Sequence, residues 1–207
     1  MVKESIVPEV VILRLPLYIR ALSQMSEEGQ SVISSKSLGN RLQVTPAQIR
    51  KDLSYFGRFG KQGRGYKVDS LIKELTNILG LNKQWNSCII GVGRLGKAII
   101  NYPGFVPEGF KIISAFDNDP AKIGQTVNEI QILPIDKIKS SVEKNDIKIA
   151  ILSVPAAIAQ KVITDLIDTN IKAILNYAPI APTVPSTMTL RNIDPVLSLQ
   201  SMTYYLD

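Results

Sequence analysis

The stretch that decides the fold of the second half is CIIGVGRLGKAII, residues 88–100. It opens with the apolar run Cys88–Ile90, which predicts a buried strand, and residues 97–101 predict the helix that follows. Between them lies a Gly-x-Gly-x-x-Gly loop, which consists of Gly91, Val92, Gly93, Arg94, Leu95 and Gly96. In such a loop the first glycine permits a tight turn, the second lets the backbone approach a pyrophosphate, and the third lets helix and strand pack closely. We therefore expect a dinucleotide-binding βα unit here.

A second apolar run, over residues 111–116, ends in Asp117. An acidic side chain at the end of the second strand of such a unit can accept hydrogen bonds from the adenosine ribose and repel a 2′-phosphate. This residue therefore favours NAD(H) over NADP(H). On these residues alone, a Rossmann-like domain that holds coenzyme A, or no nucleotide, is an alternative.

Strands and helices continue to alternate toward the C-terminus. Residues 149–154 predict a strand, residues 156–168 a helix, and residues 171–175 another strand. This alternation favours a parallel sheet, in which ligands bind at the carboxyl ends of the strands. Three residues at such ends are candidates to line the pocket, or only to shape its loops: Ser153, Pro155 and Asn176.

The first 80 residues carry most of the positive charge. They hold 12 Lys and Arg against 7 Asp and Glu, a net of +5, whereas the whole chain has a net charge of +6. Residues 36–67 contain eight Lys and Arg residues and a single acidic residue, Asp52. Such an excess indicates a polyanionic partner, although a merely soluble basic face would have the same composition.

The arrangement of these cations favours DNA. Ser34 or Ser35 can cap one short helix, and Thr45, Pro46 and Gln48 form a capping-box start for the next. Two helices joined by a short turn, the second of them basic, are typical of a helix-turn-helix. The polar face of the second helix carries the candidates for base and phosphate contacts: Arg50, Lys51, Ser54 and Tyr55.

The segment after this helix, residues 58–67, alternates glycines with cations and aromatic residues. This pattern predicts a tight β-hairpin wing that can approach DNA closely. The candidate DNA contacts in the wing are Arg58, Lys61, Arg64, Gly65 and Tyr66. Asp69 is then expected to cap a last helix over residues 71–79.

The composition excludes several classes of protein. The chain has 207 residues, of which 45 % are hydrophobic and 20 % charged, as is typical of a folded protein. It has no histidine, so a Ser-His-Asp triad and a histidine metal site are excluded. The single cysteine, Cys88, favours a reducing compartment, and no apolar stretch or leader pattern predicts membrane insertion or export. We expect a cytoplasmic protein with neither a metal nor a membrane partner.

The last segment, residues 194–207, predicts an apolar helix with Asp194 as its N-cap and Pro195 at its first position. A helix with so little polar surface is expected to be buried, against its own domain or in a partner subunit. Together the patterns predict an α/β protein: a winged helix-turn-helix domain over residues 1–80, a Rossmann-type doubly wound parallel sheet over residues 85–193, and this helix.

Five short motifs follow one another along the chain: RKDLSYFG at 50–57, GVGRLG at 91–96, YPGF at 102–105, LNYAP at 175–179 and NID at 192–194. In this order they resemble the Rex family of redox-sensing transcriptional repressors, and the resemblance covers nearly the whole chain. Several linked motifs are far more specific than any one of them. The chain departs from the family's pattern where Pro195 follows Asp194, since a larger apolar or aromatic residue is expected there.

The resemblance implies a homodimer that senses the NADH/NAD⁺ ratio. It would bind operator DNA when NADH is scarce and leave the DNA when NADH binds. By resemblance, Arg50 and Lys51 read base edges and the wing grips the minor groove. The glycine loop would hold the pyrophosphate of the dinucleotide and Asp117 its adenosine ribose.

The resemblance also implies a redox switch made of Arg20, Tyr102 and Asp194. Asp194 would change partners between the DNA-bound and NADH-bound forms, and the terminal helix would be exchanged between subunits. Two other classes of protein are weighed against this repressor: an NAD-dependent oxidoreductase with a basic N-terminal domain, and a winged-helix regulator that senses coenzyme A or another nucleotide. No histidine is available to an oxidoreductase as a hydride-transfer partner, so we predict a protein that is not an enzyme.

Overall fold

The computed structural model describes residues 7–57, 59–60 and 65–206. The chain forms two compact units, Met1–Lys83 and Gln84–Asp207. Each unit has its own buried apolar core. Within the described residues, no helix is both long enough and apolar enough to cross a bilayer.

The first unit is mostly helical, with a small two-stranded antiparallel sheet. Its elements are α1 (Glu9–Glu27), β1 (Val32–Ile33), α2 (Ser35–Leu42), α3 (Pro46–Ser54), β2 (Tyr66–Lys67) and α4 (Val68–Ile78). Leucines and isoleucines from all four helices and from β1 form its core, with members such as Leu22, Ile33, Leu38, Ile49 and Leu75. This is the order of a helix-turn-helix, α2 and α3, followed by the strand that forms the base of a wing.

Two of the predicted caps are confirmed. Ser34 Oγ accepts a hydrogen bond from the N–H of Ser37 at 3.0 Å, and Thr45 Oγ1 accepts one from the N–H of Gln48 at 3.2 Å. The prediction that the Gln48 side chain completes the capping box is wrong. The Gln48 amide donates to the Asp52 carboxylate at 2.6 Å instead. A carboxylate one turn farther along the helix is a charged acceptor, and hydrogen bonds to charged acceptors are the stronger ones.

The prediction that Asp69 caps the fourth helix is also wrong. The helix starts at Val68, before the predicted start at residue 71, and Asp69 lies in its first turn. Val68 is fully buried and its N–H donates to the carbonyl of Ser31, so β2 runs directly into the helix. The Asp69 side chain instead accepts a hydrogen bond from Ser26 Oγ at 3.2 Å.

The second unit alternates strands and helices. Its elements are β3 (Trp85–Ile90), α5 (Arg94–Ile100), β4 (Phe110–Asp117), β5 (Thr126–Val127), β6 (Ile130–Pro134), a 3₁₀ turn (Ile135–Lys137), α6 (Ile138–Lys144), β7 (Ile149–Leu152), α7 (Ala156–Ile167), β8 (Ala173–Asn176), β9 (Thr189–Asn192) and α8 (Pro195–Thr203). In residues 84–206 the strands form one sheet in the order β5-β6-β4-β3-β7-β8-β9, with β5 antiparallel and the others parallel.

This strand order identifies the fold. Numbered along the chain from β3, the six parallel strands have the order 3-2-1-4-5-6, which is that of the doubly wound dinucleotide-binding fold. Ile89 and Ile90 belong to different buried clusters, as expected for a sheet covered on both faces. The direction of winding reverses between β3 and β7, and ligands bind at such a switch point. The predicted fold class, a winged helix-turn-helix followed by a Rossmann-type sheet, is confirmed.

The terminal helix α8 is shorter than predicted and lies exposed. It spans nine residues, all of them described, and none is buried. Its apolar side chains Val196, Leu197, Leu199 and Met202 are each between 56 and 62 % exposed. The single chain therefore does not bury this helix against its own domain, one of the two outcomes that the sequence left open.

Candidate DNA interface and dinucleotide site

Helix α3 separates its residues into two faces, as the sequence predicts. Ile49 and Leu53 are buried in the core, whereas Arg50, Lys51 and Ser54 are exposed. The guanidinium of Arg50 donates to Ser35 Oγ at 3.0 Å, and that hydroxyl lies at the start of α2. Ser54 Oγ donates to the carbonyl of Lys51, and the C-cap residue Tyr55 is half-buried.

A buried ionic cluster, missed by the sequence reasoning, joins α3 to α1. Asp52 is fully buried and accepts two hydrogen bonds from Arg14, from Nε at 2.6 Å and from Nη2 at 2.7 Å. It accepts further bonds from the Tyr18 hydroxyl and the Gln48 amide, both at 2.6 Å. Burial alone would raise the pKa of Asp52, but these donors outweigh it and hold the pKa below its ordinary value.

The Asp52 cluster fixes the orientation of the helix that carries Arg50. The sequence does contain a signal for it. Asp52 is the single acid of the basic segment 36–67, and it shares the apolar face of α3 with Ile49 and Leu53. An acid on a buried face is expected to have a cationic or hydrogen-bonding partner elsewhere in the fold.

The base of the wing is described in part. Gly65 has φ +71°, and a Cβ there would collide with the carbonyl oxygen of Ile33 on β1, so this position requires glycine. Tyr66, predicted to contact DNA, is half-buried and packs against the core of the first unit. Burial raises its pKa, opposed by the charge of Arg50. Three predicted wing contacts lie outside the described residues: Arg58, Lys61 and Arg64.

The glycine loop connects β3 to α5, and α5 begins at Arg94 rather than at residue 97. Gly91 has φ +91°, and a Cβ on it would lie 2.5 Å from the carbonyl oxygen of Ser153. A Cβ on Gly96 would collide with the carbonyl oxygen of Gly91, which is the close helix–strand packing expected of the third glycine.

Gly93 differs from these two glycines. A Cβ on it would meet no atom of the described residues within 4 Å, and its φ is outside the left-handed region. Neither packing within the chain nor backbone conformation therefore requires glycine here. The space beside the backbone at the start of α5 is therefore open, as a group that approaches this backbone from outside would need. Arg94 and Leu95, next in the loop, are exposed, whereas Val92 is buried.

Asp117 lies at the carboxyl end of β4, where the sequence predicted it, and it holds the glycine loop. Its Oδ2 accepts from the Val92 N–H at 2.7 Å and from Lys122 Nζ at 3.1 Å, and its Oδ1 accepts from the Asp119 N–H at 2.9 Å. Burial would raise the pKa of Asp117, but these donors lower it overall, so the carboxylate is charged at neutral pH. A carboxylate offers about four acceptor positions, and the described residues occupy three of them.

Two of the three pocket candidates at the other strand ends make hydrogen bonds within the second unit. Ser153 Oγ donates to the carbonyl of Gly91 at 2.6 Å and so fixes the glycine loop from β7. Asn176 is fully buried; its amide donates to Ala178 O and Asn192 Oδ1, and its Oδ1 accepts from the Ala178 N–H. Its polar atoms thus shape the end of β8. Pro155 is exposed at the start of α7.

The members of the predicted switch lie in both units. Arg20 is exposed on α1 in the first unit. In the second unit Tyr102 follows α5, is 58 % exposed, and packs edge-on against Phe105 with ring centroids 5.2 Å apart. Asp194 caps α8 as predicted, since its Oδ1 accepts from the Val196 N–H at 2.9 Å.

Cys88 lies in the core of the sheet, in the buried strand that the sequence predicts. It is fully buried, and burial raises its pKa to about 12. Among the described residues, no group of three or more Asp, Glu, Cys or His side chains could hold a metal ion.

Two family profiles match the two units of the chain. The family described as "CoA binding domain" matches residues 82–180, and the family described as "Putative DNA-binding protein N-terminus" matches residues 6–54. Among curated proteins, the redox-sensing transcriptional repressor Rex of Chloroflexus aggregans is 52 % identical over 96 % of this chain and 94 % of its own length. The Rex of Chloroflexus aurantiacus is 50 % identical over 100 % of this chain and 97 % of its own.

Solved structures agree with these relatives. The crystal structure of RSP in complex with β-NAD⁺ and operator DNA matches with a TM-score of 0.92 and 40 % identity, over 98 % of this chain and 93 % of that one. RSP in complex with β-NADH matches with a TM-score of 0.88 and 38 % identity, over 98 % and 95 % of the two chains. Similarity of this extent, over both the DNA-binding and the dinucleotide-binding units, establishes that the chain belongs to the Rex family of redox-sensing transcriptional repressors.

Proposed function

We propose that this protein is a transcriptional repressor that binds operator DNA when NADH is scarce and leaves it when NADH binds. The observation that carries the proposal is the near full-length similarity to RSP, which has been crystallised with NAD⁺ and operator DNA together and with NADH. Family membership favours this regulator over an NAD-dependent oxidoreductase. A repressor of this kind acts on intracellular DNA, so we assign it to the cytoplasm.

The first unit supplies the DNA contacts. Arg50 and Lys51 are exposed on one face of α3 and can donate to guanine O6 and N7 in the major groove. Ser54 and Tyr55 on the same helix can hold phosphates, which fix the register of the helix on the duplex. The wing, with Lys61 and Arg64, would add contacts to the minor groove or to phosphates.

The second unit supplies the dinucleotide site. The backbone at Gly93 and the start of α5 can hold the pyrophosphate, with Arg94 exposed beside it. Asp117 keeps the loop in place and can accept one ribose hydroxyl, and its negative charge disfavours the 2′-phosphate of NADPH. The bound dinucleotide supplies a nicotinamide ring that is cationic in NAD⁺ and neutral in NADH.

The response to NADH requires a group that senses this ring. A ligand can release DNA only if it binds the DNA-incompetent arrangement more tightly than the competent one. Asp194 is a fixed negative charge at the start of α8 and is proposed to pair with Arg20 in one state and with the Tyr102 hydroxyl in the other. The exposed apolar side of α8 supports the further proposal that this helix is exchanged between the subunits of a homodimer.

Fluorescence anisotropy of a labelled operator tests this function. The DNA-bound protein is titrated separately with NADH, NAD⁺, NADPH and coenzyme A, the last because the profile that matches residues 82–180 is a coenzyme A family. Release by NADH at concentrations where the other three leave the complex intact supports the proposal. Release by coenzyme A but not by NADH would identify a different sensor.

A further inference from the structure

The loop that follows α5 folds Tyr102 back over Gly104. A Cβ on Gly104 would lie 2.6 Å from Cζ and 2.7 Å from the hydroxyl oxygen of Tyr102, and closer still to one ring carbon. Real Cβ atoms essentially never approach another heavy atom below 3.0 Å. The ring and hydroxyl of Tyr102 therefore fill the space that a side chain at position 104 would need.

The backbone gives no other reason for a glycine at this position. Gly104 is not among the residues with positive φ, unlike Gly109 at the end of the same loop. Alanine is therefore compatible with the backbone conformation at 104. The three nearest atoms that its Cβ would meet all belong to the end of the Tyr102 side chain.

A second neighbour of the ring is also defined. Phe105 meets Tyr102 edge-on, with an interplanar angle of 76°, which is a preferred geometry for aromatic pairs. Phe105 is half-buried against the core of the sheet, so it provides a fixed surface. The ring of Tyr102 thus has contacts with Gly104 and with a core aromatic residue, although more than half of Tyr102 is exposed.

An open cavity of about 560 Å³ adjoins this loop, and Tyr102, Phe105 and Val106 contribute to its lining. A ring that is pushed off Gly104 can therefore move without displacing the core. A methyl group at 104 should shift the hydroxyl of Tyr102 while leaving the fold in place.

We propose that Gly104 is a positioning residue for the redox response: its missing side chain sets where the Tyr102 hydroxyl lies, and so how strongly NADH binding is coupled to DNA release. This inference rests on the proposed function, in which Tyr102 is a member of the switch. It assigns a role to a residue that touches neither DNA nor the dinucleotide in that scheme.

The test is a double-mutant cycle with Gly104→Ala, Tyr102→Phe and the double variant. The midpoint of DNA release is measured by anisotropy at fixed NADH/NAD⁺ ratios. Tyr102→Phe should shift the midpoint by about fivefold or more, the lower end of typical allosteric couplings. Gly104→Ala should shift it in the same direction, and the double variant should shift it no further than Tyr102→Phe alone. The thermal midpoint of the Gly104→Ala variant should stay at the parent value.

Val106→Ala is the matched control, because it alters the same loop without adding an atom beside the Tyr102 ring. It should leave the release midpoint unchanged. Phe105→Leu is a second variant, which removes the edge-on aromatic contact of the Tyr102 ring and should shift the midpoint in the same direction as Gly104→Ala.

The outcomes separate the inference from the proposed function. A parent protein that does not release DNA with NADH would contradict the function itself. If the parent responds and Tyr102→Phe shifts the midpoint, a Gly104→Ala variant with the parent midpoint overturns the positioning role. The role is also overturned if Gly104→Ala has its full effect in the Tyr102→Phe background, since the effect would then not depend on the hydroxyl.

Discussion

Each unit of the chain contains a buried aspartate that organises its functional site, and the two aspartates do so in different ways. Asp52 in the first unit accepts hydrogen bonds from side chains on α1 and α3, and these bonds lock one helix to the other. Asp117 in the second unit accepts from two backbone N–H groups and one lysine, and these bonds shape a loop. In both cases the donors hold the pKa below its ordinary value despite burial.

The difference concerns what remains available to a ligand. The Asp52 carboxylate is enclosed between two helices and presents nothing to DNA, so it acts through the helix that it orients. Asp117 lies at a strand end, accepts from the N–H of Val92 in the glycine loop, and is proposed to accept a further hydrogen bond from a ribose. Removing Asp52 should therefore affect DNA binding, and removing Asp117 should affect dinucleotide binding.

The largest expected effect comes from Asp52→Ala. The variant leaves the buried side of Arg14 and the hydroxyl of Tyr18 without their acceptor, and breaking a buried pair of this kind costs about 3 kcal/mol or more. We expect the unfolding free energy of the first unit to fall by this amount and specific DNA binding to be lost. NADH binding, measured by calorimetry, should be retained. Loss of NADH affinity with DNA binding intact would contradict the division between the two aspartates.

Asp117→Ser should have a smaller effect on stability, and it should change dinucleotide binding and not DNA binding. The variant leaves the buried Val92 N–H without its acceptor, at a cost of about 1–3 kcal/mol. NADH affinity should fall, and the gap between NADH and NADPH should narrow because a negative charge near the ribose is removed. Asp119→Asn is the control, because it removes a neighbouring charge without touching the glycine loop. Equal binding of NADH and NADPH by the parent would show that Asp117 does not face the ribose.

Arg50→Ala tests the surface that Asp52 orients. Loss of a side chain that reads a base edge typically costs about 1–3 kcal/mol of specific binding. We expect competition assays to show both weaker binding and relaxed sequence preference. Ser35→Ala is the matched control, because it removes the hydroxyl that accepts from Arg50 and leaves the guanidinium in place. If Ser35→Ala loses specificity as strongly as Arg50→Ala, then specificity depends on the hydrogen bond between Arg50 and Ser35 and not on a base contact of Arg50.

The smallest effect is a difference in acid stability. A carboxylate whose pKa is lower in the folded state than in the unfolded state stabilises the fold above the unfolded value, about 3.9. That contribution is lost as the pH falls through the lowered folded value. The parent should therefore lose stability more steeply below about pH 4 than Asp52→Asn, which has no carboxyl group to titrate. Denaturant unfolding of both proteins between pH 6 and pH 3 (roughly the range that spans the unfolded pKa) measures this difference. If the unfolding free energies of the two proteins change with pH in the same way, the ionisation of Asp52 does not stabilise the fold.

The sequence predicted features that depend on neighbouring residues. Ser34, Thr45 and Asp194 cap their helices because a cap needs only the next two or three residues. The glycine loop follows from its own motif, and the parallel sheet follows from the alternation of strands and helices. The reason for glycine at position 65 was not predicted, because the strand whose carbonyl oxygen excludes a Cβ there lies more than 30 residues earlier.

The features that the sequence reasoning missed or misassigned depend on long-range contacts. Arg14 and Asp52 are 38 residues apart, and Ser153 reaches Gly91 across 62 residues. The position of Asn176 at the end of a strand could be predicted, but its hydrogen bonds to Ala178 and Asn192 could not. A single sequence without coordinates cannot reveal which polar side chain another part of the chain will engage.

Variants of Asp194 test the redox response most directly, because this residue is proposed to sense the nicotinamide. DNA binding is measured by anisotropy at a series of fixed NADH/NAD⁺ ratios for the parent, Asp194→Ala and Asp194→Asn. Asparagine can still cap α8 but carries no charge, so it separates the charge from the cap. We expect the parent to release DNA as the NADH fraction rises, and both variants to bind DNA and dinucleotide but respond little to the ratio. An Asp194→Asn variant that releases DNA at the parent's midpoint would contradict the proposed switch.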